Sequence, residues 1–232
     1  MTAAKAPVTK RATPNQAYQA ILELIVDGQV TPGSPLRLQE LADSIGTSMM
    51  PVRQALRQLE AVGVVEIIPN KGAQVRPIST EDLLDTYRTR IALEGILCHR
   101  AAENFTPADK ERAMSALEEQ RAALQDDDHS AARGAHREFH YAIYRAAGTP
   151  WLLRSIEPTW LNSERYRIAS EHDGDMLTLR RTEHEAILKA CTSHKPEPAR
   201  EALRSHLIST VNHIDLSLGQ RLTILTSGPC GY

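Results

Sequence analysis

Four histidines in the C-terminal half of the sequence have the spacing and surroundings of a metal site. His136 and His140 are four residues apart, so on a helix they share one face, about 5–6 Å from each other. His184 and His206 each fall on the apolar face of a separate predicted helix, and helical bundles build metal sites from such inward-facing side chains. Neutral imidazole suits zinc, nickel, copper and iron. The sequence predicts a divalent transition metal, zinc or nickel, bound by His136, His140, His184 and His206.

Two other interpretations of these histidines stay open. A single histidine on an apolar helix face is more often a hydrogen-bonded core residue than a metal ligand. Alternatively, three or four histidines could activate a water molecule in a metalloenzyme. The sequence has no HExxH motif, and Glu138 points about 100–200° away from His136 and His140. We therefore predict no catalytic residues and no enzymatic activity.

A second group of residues has the pattern of a nucleic-acid contact. A short predicted helix at 38–45, a glycine-bearing turn and a second helix at 48–62 form the pattern of a helix-turn-helix. The second helix of this motif enters the major groove of DNA, where arginine can bond guanine or phosphate. The alternative is an ordinary solvated helix face. The candidate DNA contacts are Ser48, Met50, Arg53, Gln54, Arg57, Lys71 and Gly72.

The elements that must position these residues follow from hydrophobic periodicity. Helices at 15–28, 38–45 and 48–62 precede a β-branched stretch at 64–68, a turn, and a return at 73–75, which predict a β-hairpin. This predicts an N-terminal winged helix-turn-helix of three helices plus a β-hairpin. Everything after Pro77 is helical in pattern and predicts a C-terminal all-α bundle, with helices at 80–104, 107–126, 130–147, 150–171, 175–193 and 197–219.

Composition and charge agree with two modest domains of mainly α structure. The 232 residues are 41% hydrophobic but only 4% aromatic, so the core must consist mostly of aliphatic residues. The formal net charge is -2, which excludes a basic nucleic-acid coat protein. Residues 1–79 carry eight basic and six acidic side chains, while the remainder carries 19 and 23. A slightly basic head on an acidic body is typical of a DNA-binding module joined to a module of another kind.

The sequence predicts a cytoplasmic protein without a membrane segment. Its three cysteines form no CxxC pair, the first residues lack an apolar signal region, and no run approaches the roughly 18 apolar residues of a membrane span. The predicted boundaries are a disordered leader at 1–13, a winged helix-turn-helix at 14–78, a helical effector and metal-binding domain at 79–222, and a flexible tail at 223–232.

Residues 18–76 resemble the GntR family of bacterial regulators. Many members have arginine directly after the serine at the start of the second helix, where this chain has Met49, so no base contact is transferred to that position. The following Met50-Pro51-Val52-Arg53 matches a subgroup. The resemblance rests on Gln29-Val30-Thr31-Pro32-Gly33-Ser34-Pro35-Leu36, Leu41-Ala42, Ile45-Gly46-Thr47-Ser48, Pro51-Val52-Arg53-Gln54-Ala55-Leu56-Arg57-Gln58-Leu59, Gly63, Pro69 and Gly72.

Residues 80–220 resemble the FCD ligand domain of FadR-type members of the same family. Metal-binding members usually have aspartate where this chain has His136, so the resemblance implies either a four-histidine site or a His136 that does not bind metal. The resemblance rests on Arg90-Ile91-Ala92-Leu93-Glu94-Gly95, Phe139-His140, Glu183-His184 with Ala186-Ile187-Leu188, and Ala202-Leu203-Arg204-Ser205-His206-Leu207.

The two resemblances together imply a homodimeric transcription regulator that binds double-stranded operator DNA and responds to a small carboxylate effector. Arg90 is the expected effector-binding residue, because a guanidinium holds a carboxylate with two parallel hydrogen bonds. Its alternative role is an intrahelical partner of Glu94 at i+4. Arg165 and Arg167 are further candidates that nothing in the sequence selects. An acyl-CoA-sensing regulator without metal is the other alternative, and the histidine set argues against it.

Overall fold

The structure, a computed structural model, describes residues 12–170 and 176–218. Most of the predicted leader at 1–13 and the whole predicted tail at 223–232 lie outside these residues. The chain divides into two compact units, Met1–Pro77 and Ile78–Tyr232. None of the helices in the described part of the chain is long and apolar enough to cross a membrane.

The N-terminal unit combines three helices with a small antiparallel sheet. Its elements are α1 (Pro14–Val26), β1 (Pro35–Leu36), α2 (Leu38–Ile45), α3 (Met49–Ala61), β2 (Val65–Ile68) and β3 (Gly72–Val75). The strands lie in the order β1-β3-β2. The sequence predicted only the β2–β3 hairpin, because two residues are too short for a strand pattern, and β1 is defined by its pairing with β3.

The orientation of α3 follows from its apolar face. Val52, Ala55, Leu56 and Leu59 are buried, at the i, i+3, i+4 and i+7 positions of an amphipathic helix, and α3 packs against α1. Gly46 ends α2 with a φ of 71°, in the left-handed region that glycine adopts without steric cost. The burial of one face and the sharp turn before α3 leave its opposite face in solvent.

The wing of this unit is the β2–β3 hairpin, whose turn is fixed by its backbone. The N–H of Lys71 donates to the carbonyl of Ile68 at 3.0 Å. Asn70 and Gly72 have φ values of 62° and 95°, which suit these two residue types better than most others. The turn leaves Lys71 exposed at the tip of the wing.

The C-terminal unit is helical throughout its described residues. Its elements are α4 (Thr80–Asn104), α5 (Pro107–Gln125), α6 (His129–Arg145), α7 (Pro150–Ser155), α8 (Glu157–Ala169), α9 (Met176–Thr192) and α10 (Pro196–Ser217). The predicted fold class, mainly α with an N-terminal winged helix-turn-helix and a C-terminal helical bundle, is confirmed.

The structure of this unit has two helices where the sequence predicted one. The sequence pattern predicted a continuous helix at 150–171, but the structure has α7 and α8 with a break at Ile156. Pro158 lies in the first turn of α8, and proline has no N–H to donate to the carbonyl four residues earlier. The prediction of a single helix was therefore wrong at this point, because proline is tolerated at a helix start and not in its interior.

The interior of the bundle is built from aliphatic and small side chains. α5 packs against α6, and α4 packs against α10. Ala113 and Ala116 of α5 and Ala132 and Ala135 of α6 are all buried. Because the distance between two helix axes depends on the side chains at the contact, alanines here allow α5 and α6 to approach closely.

Two free cysteines lie in this interior. The Sγ atoms of Cys98 on α4 and Cys191 on α9 are 4.0 Å apart, and both residues are completely buried. Cys98 also contacts the carbonyl oxygen of Ala199 on α10 at 3.4 Å. The pair therefore marks the point where three helices meet.

Candidate functional site

The four histidines predicted as metal ligands come together inside the bundle. His136 and His140 lie on α6, His184 on α9 and His206 on α10, and all four are buried. One ring nitrogen of each lies within 4.8 Å of the corresponding atoms of the others. The ring centroids of His184 and His206 are 4.6 Å apart, and those of His136 and His140 are 4.8 Å apart.

Burial keeps these imidazoles neutral. Removal from water lowers the pKa of His136, His140 and His184 well below the usual range, and the charge of Arg167 lowers each further. Burial also lowers the pKa of His206 to about 3, with Arg90 contributing in the same direction. Neutral imidazole is the form that binds metal, so the four side chains are in the required state at neutral pH.

A chain of hydrogen bonds fixes the ring of His140. The hydroxyl of Tyr144 donates to Oε2 of Glu94 at 2.6 Å and lies 3.2 Å from Nδ1 of His140. Burial, followed by the charge of Glu94, raises the pKa of Tyr144, so the phenol keeps its single hydrogen. Since that hydrogen goes to Glu94, Nδ1 of His140 is left as a donor to the phenol oxygen. The lone pair of His140 is therefore on Nε2.

His206 is held in the same tautomer by a carboxylate. Its Nδ1 lies 2.8 Å from Oε2 of Glu183, a residue of α9. A carboxylate accepts hydrogen bonds only, so Nδ1 carries the hydrogen and Nε2 of His206 carries the lone pair. A carboxylate on the far nitrogen of a histidine is the usual support of a metal ligand, because it fixes the ring and raises its basicity.

The chemistry of the cluster fits a transition metal. Among the described residues, Nε2 of His140 and Nε2 of His184 are buried without any hydrogen-bond partner. An unsatisfied buried polar atom costs about 1–3 kcal/mol, which a metal bond would remove. Three nitrogen ligands from separate helices, two of them oriented by hydrogen bonds at Nδ1, are the donor set that suits zinc, nickel, copper or iron.

His136 differs from the other three histidines in its partner. Its Nδ1 lies 2.6 Å from Nη1 of Arg167, and the same Nη1 donates to Oε1 of Glu164 at 3.2 Å. All three side chains are buried. The geometry therefore brings His136 to the cluster together with a cation from α8.

Arg90 forms an ion pair with Glu94 on the same helix, which is its alternative role. Its Nε donates to Oε1 of Glu94 at 2.6 Å, its Nη2 to Oε2 at 3.2 Å, and its Nη1 to Ser163 at 2.9 Å. Its guanidinium carbon lies 4.4 Å from the ring centre of Trp160. Burial opposes the charge on Arg90, but Glu94 outweighs it and keeps the pKa above its ordinary value. Glu94 therefore occupies two guanidinium donors that an effector carboxylate would need. The effector role of Arg90 stays a prediction.

In the part of the chain that the structure describes, a small and a large cavity border the cluster. The smaller, of about 10 Å³, is lined by His136, Arg167, His206 and Arg180, with Arg90, Leu207 and Thr210. That volume holds about one water-sized atom. The larger, of about 600 Å³, lies between α5 and α9 and is lined by His184 and Arg180 together with leucines and charged residues. Arg180 borders both cavities, and only the larger has room for an organic molecule.

Sequence reasoning missed most of the groups that support the cluster. Arg167 could not be distinguished from Arg165, and the structure separates them: Arg165 binds Asn162 and Asp82 at 3.1 Å. Choosing between them requires knowing which face of α8 meets α6. Tyr144 did have a signal, since it follows His140 by four residues and so shares its helix face.

The predicted nucleic-acid contacts are all exposed in the N-terminal unit. Ser48 precedes α3 and its side chain forms no capping hydrogen bond, so the hydroxyl is available to a ligand. Arg53, Gln54 and Arg57 are exposed along the helix. Met50 is 61% exposed at the start of α3. Lys71 and Gly72 are exposed at the tip of the wing.

Comparison with protein families identifies both units. Residues 13–75 match the model described as "Bacterial regulatory proteins, gntR family", and residues 85–209 match the FCD domain. The second match alone covers more than half of the chain. The first matched range contains α3, and the second contains all four histidines of the cluster.

Relatives give the same assignment, and a solved structure has the same fold. The chain is 31% identical over 208 residues to the "Probable D-xylose utilization operon transcriptional repressor" of Paenarthrobacter nicotinovorans, covering 89% of this chain and 91% of that one. It is 28% identical to the transcriptional repressor GlaR of Escherichia coli, with 84% and 92% covered. The solved structure of Escherichia coli McbR/YncC matches with a TM-score of 0.80 at 23% identity, covering 89% of this chain and 99% of that one.

Proposed function

The chain belongs to the GntR family of bacterial regulatory proteins and carries an FCD domain, and from that premise we propose that a small organic acid, bound in a metal-containing helical domain, sets its affinity for operator DNA. The family regulates transcription by binding DNA, and the metalloenzyme alternative is not favoured, because the relatives are transcriptional regulators. The observation that carries the proposal is the buried cluster of four histidines in the same chain as the exposed face of α3.

The operator contact follows from the exposed residues of α3. As the second helix of a helix-turn-helix, α3 enters the major groove with its first turns toward the base edges. Met50, Arg53 and Gln54 lie on those turns, and Lys71 on the wing is available to a phosphate. We propose that a homodimer places two copies of α3 on the half-sites of a pseudo-palindrome. Its affinity falls steeply with salt, because neutralising phosphates releases counterions.

We expect Arg53→Ala to weaken operator binding by about 1–3 kcal/mol, the usual cost of losing a bidentate contact to a base. Arg53 is exposed and supports no buried contact, so the folded state is unaffected. The measurement is fluorescence anisotropy with a duplex selected from a random library on the wild-type protein. Arg204→Ala, which removes a half-buried arginine from the other unit, is the matched control. Equal affinities for wild type and Arg53→Ala would remove Arg53 from the interface.

The histidine cluster supports the metal part of the proposal. His140 and His206 have Nε2 lone pairs fixed by Tyr144 and Glu183, and His184 has a buried Nε2 without a partner among the described residues. These three side chains would hold the ion, and His136 is the fourth candidate. When bound, the metal supplies a positive centre that attracts an anion. A regulator that senses acyl-CoA without metal would not require a buried cluster of histidines.

The larger cavity suggests the class of effector. Its volume of about 600 Å³ lies in the range of small-molecule sites. Leu117, Leu124 and Leu188 provide apolar walls, while Arg180 and His184 lie on the side of the histidine cluster. An acid with an apolar body would pack against the leucines and direct its carboxylate toward the arginine and the metal. Both partners are needed to offset the desolvation of a buried carboxylate.

We expect Arg180→Met to abolish the response of operator binding to such acids while leaving operator binding without effector nearly unchanged, because residue 180 lies outside the N-terminal unit. The measurement is a titration of monocarboxylic and dicarboxylic acids, read by operator anisotropy. Arg204→Met serves as the control for loss of an arginine. An Arg180→Met protein that responds at wild-type acid concentrations would place the carboxylate elsewhere.

The same titration addresses the predicted role of Arg90. Arg90→Met combined with Glu94→Met removes the whole ion pair and leaves no single buried charge, a replacement that folded proteins often tolerate. Loss of the acid response in this double variant, with retention in Arg204→Met, would return Arg90 to the effector site. A retained response to the acids would mean that Arg90 serves only as the ion-pair partner of Glu94.

A further inference from the structure

The contact between Arg167 and His136 determines where His136 carries its hydrogen. A guanidinium has five N–H donors, no acceptor, and stays protonated in proteins. Nδ1 of His136, 2.6 Å from Nη1 of Arg167, must therefore accept a hydrogen bond. A neutral imidazole with an accepting Nδ1 has its hydrogen on Nε2. Both nitrogens of His136 are thus committed, one to Arg167 and one to a proton.

The other three histidines offer lone pairs. The hydrogen bonds to Tyr144 and Glu183 leave the Nε2 atoms of His140 and His206 unprotonated, and Nε2 of His184 has no partner among the described residues. The cluster therefore presents two lone pairs fixed by hydrogen bonds, a third Nε2 without a competing partner among the described residues, and one N–H donor. The sequence left both roles open for His136, and its contact with Arg167 favours the role of donor.

The charges around the cluster leave a bound cation without a counter-charge. Glu94 is paired with the cation of Arg90 and Glu164 with that of Arg167, while Glu183 accepts from the neutral His206 and is stabilised by the charge of Arg180. Three neutral imidazoles add no negative charge. A divalent ion beside Arg167 would be a buried and uncompensated cation, which is strongly unfavourable. An anion is needed to complete the site.

We propose that His140, His184 and His206 form a three-histidine metal site, while His136 and Arg167 together hold an oxyanion of the carboxylate class that binds with the metal. His136, Arg167 and His206 line the void of about 10 Å³, which has room for one oxygen atom. Arg180 borders both this void and the larger cavity, where the rest of the anion would lie. This inference rests on the proposed metal function and specifies it: metal and carboxylate bind cooperatively, and His136 binds the anion and is not a metal ligand.

The test is the zinc affinity of untagged, metal-free protein, measured by competition with a chromophoric chelator. Each titration is performed with sodium acetate and with sodium perchlorate at equal ionic strength, and protein-free titrations correct for zinc bound by acetate. We expect acetate to raise the zinc affinity of wild type by about tenfold or more. His140→Ala should lose zinc binding in both salts, because it removes a ligand.

The decisive variants are at position 136. His136→Ala should keep the wild-type zinc affinity in perchlorate and lose the acetate effect, which neither a ligand nor a purely structural residue would do. His136→Asp supplies a carboxylate from the protein, so zinc should bind tightly in perchlorate and acetate should add little. Cobalt loading gives a second readout, since acetate should change the visible absorption of the cobalt-loaded wild type and leave that of His136→Asp unchanged.

Two results would overturn the inference while leaving the metal function intact. One is a His136→Ala variant that loses zinc in perchlorate as completely as His140→Ala, which would make His136 a ligand. The other is a wild-type zinc affinity that acetate does not change. If wild type binds no zinc, nickel or cobalt in either salt, the metal part of the proposed function fails, and this inference fails with it.

Discussion

Zinc should raise the melting temperature of the wild-type protein and leave those of His140→Ala and His184→Ala unchanged. A ligand that binds only the folded state stabilises it by about 4 kcal/mol when its free concentration is a thousand times its Kd. Both side chains are buried, and each has an Nε2 without a partner among the described residues, so each alanine variant removes one metal bond. The quantity to compare is the zinc-induced shift in melting temperature, together with the metal content by elemental analysis.

The zinc-induced shift in melting temperature separates the effect of the metal from the loss of stability that the mutation itself causes. His140→Ala also leaves a cavity beside Tyr144, which lowers the stability of the metal-free protein and cancels when each variant is compared with itself. His129→Ala is the matched control, because His129 lies on the same helix but is exposed. A zinc-induced shift in His140→Ala as large as in wild type, or no shift in wild type with zinc or nickel, would contradict the proposed metal centre.

The second large effect concerns the stability of the bundle. Glu94→Ala should lower the free energy of unfolding by about 3–5 kcal/mol, the usual cost of removing one partner of a buried ion pair. Glu94 is completely buried and accepts hydrogen bonds from two groups, the guanidinium of Arg90 and the hydroxyl of Tyr144. Without the carboxylate, Arg90 keeps a buried charge and Tyr144 loses its acceptor.

Urea unfolding of the metal-free protein measures this effect without interference from the histidine cluster. Glu103→Ala removes an exposed glutamate from the same helix and should change stability by no more than about 0.5 kcal/mol. A Glu94→Ala variant as stable as Glu103→Ala would mean that water or another group compensates Arg90. The order of stability, with Arg90→Met/Glu94→Met above Glu94→Ala, further distinguishes loss of a pair from loss of one charge.

The sequence was sufficient for most properties that depend on one element, the break between α7 and α8 being an exception. The spacing of Val52, Ala55, Leu56 and Leu59 defined the buried face of α3, and the i, i+4 spacing of His136 and His140 placed both on one face of α6. The mainly α fold class and the helix-turn-helix were confirmed for this reason. The intrahelical pair of Arg90 and Glu94 was also within reach, since four residues separate them.

The sequence was insufficient wherever a property depends on how elements meet. β1 consists of two residues and exists only because β3 lies beside it. Arg167 could be selected over Arg165 only once the packing of α8 against the bundle was known, because both arginines are buried. The difference between His136 and the other histidines has the same origin, since it depends on a partner 31 residues away in the chain.

The buried cysteine pair makes the interior of the bundle observable by thiol chemistry. Cys98 and Cys191 are completely buried where α4, α9 and α10 meet, so an alkylating reagent reaches them only while these helices are apart. The contact with Cys191, together with burial, also raises the pKa of Cys98, which disfavours the reactive thiolate in the closed state. The alkylation rate of these two thiols therefore reports how often the bundle opens, in the way that amide hydrogen exchange reports local unfolding. Cys98 and Cys191 thus serve as native probes of the rate at which the core opens.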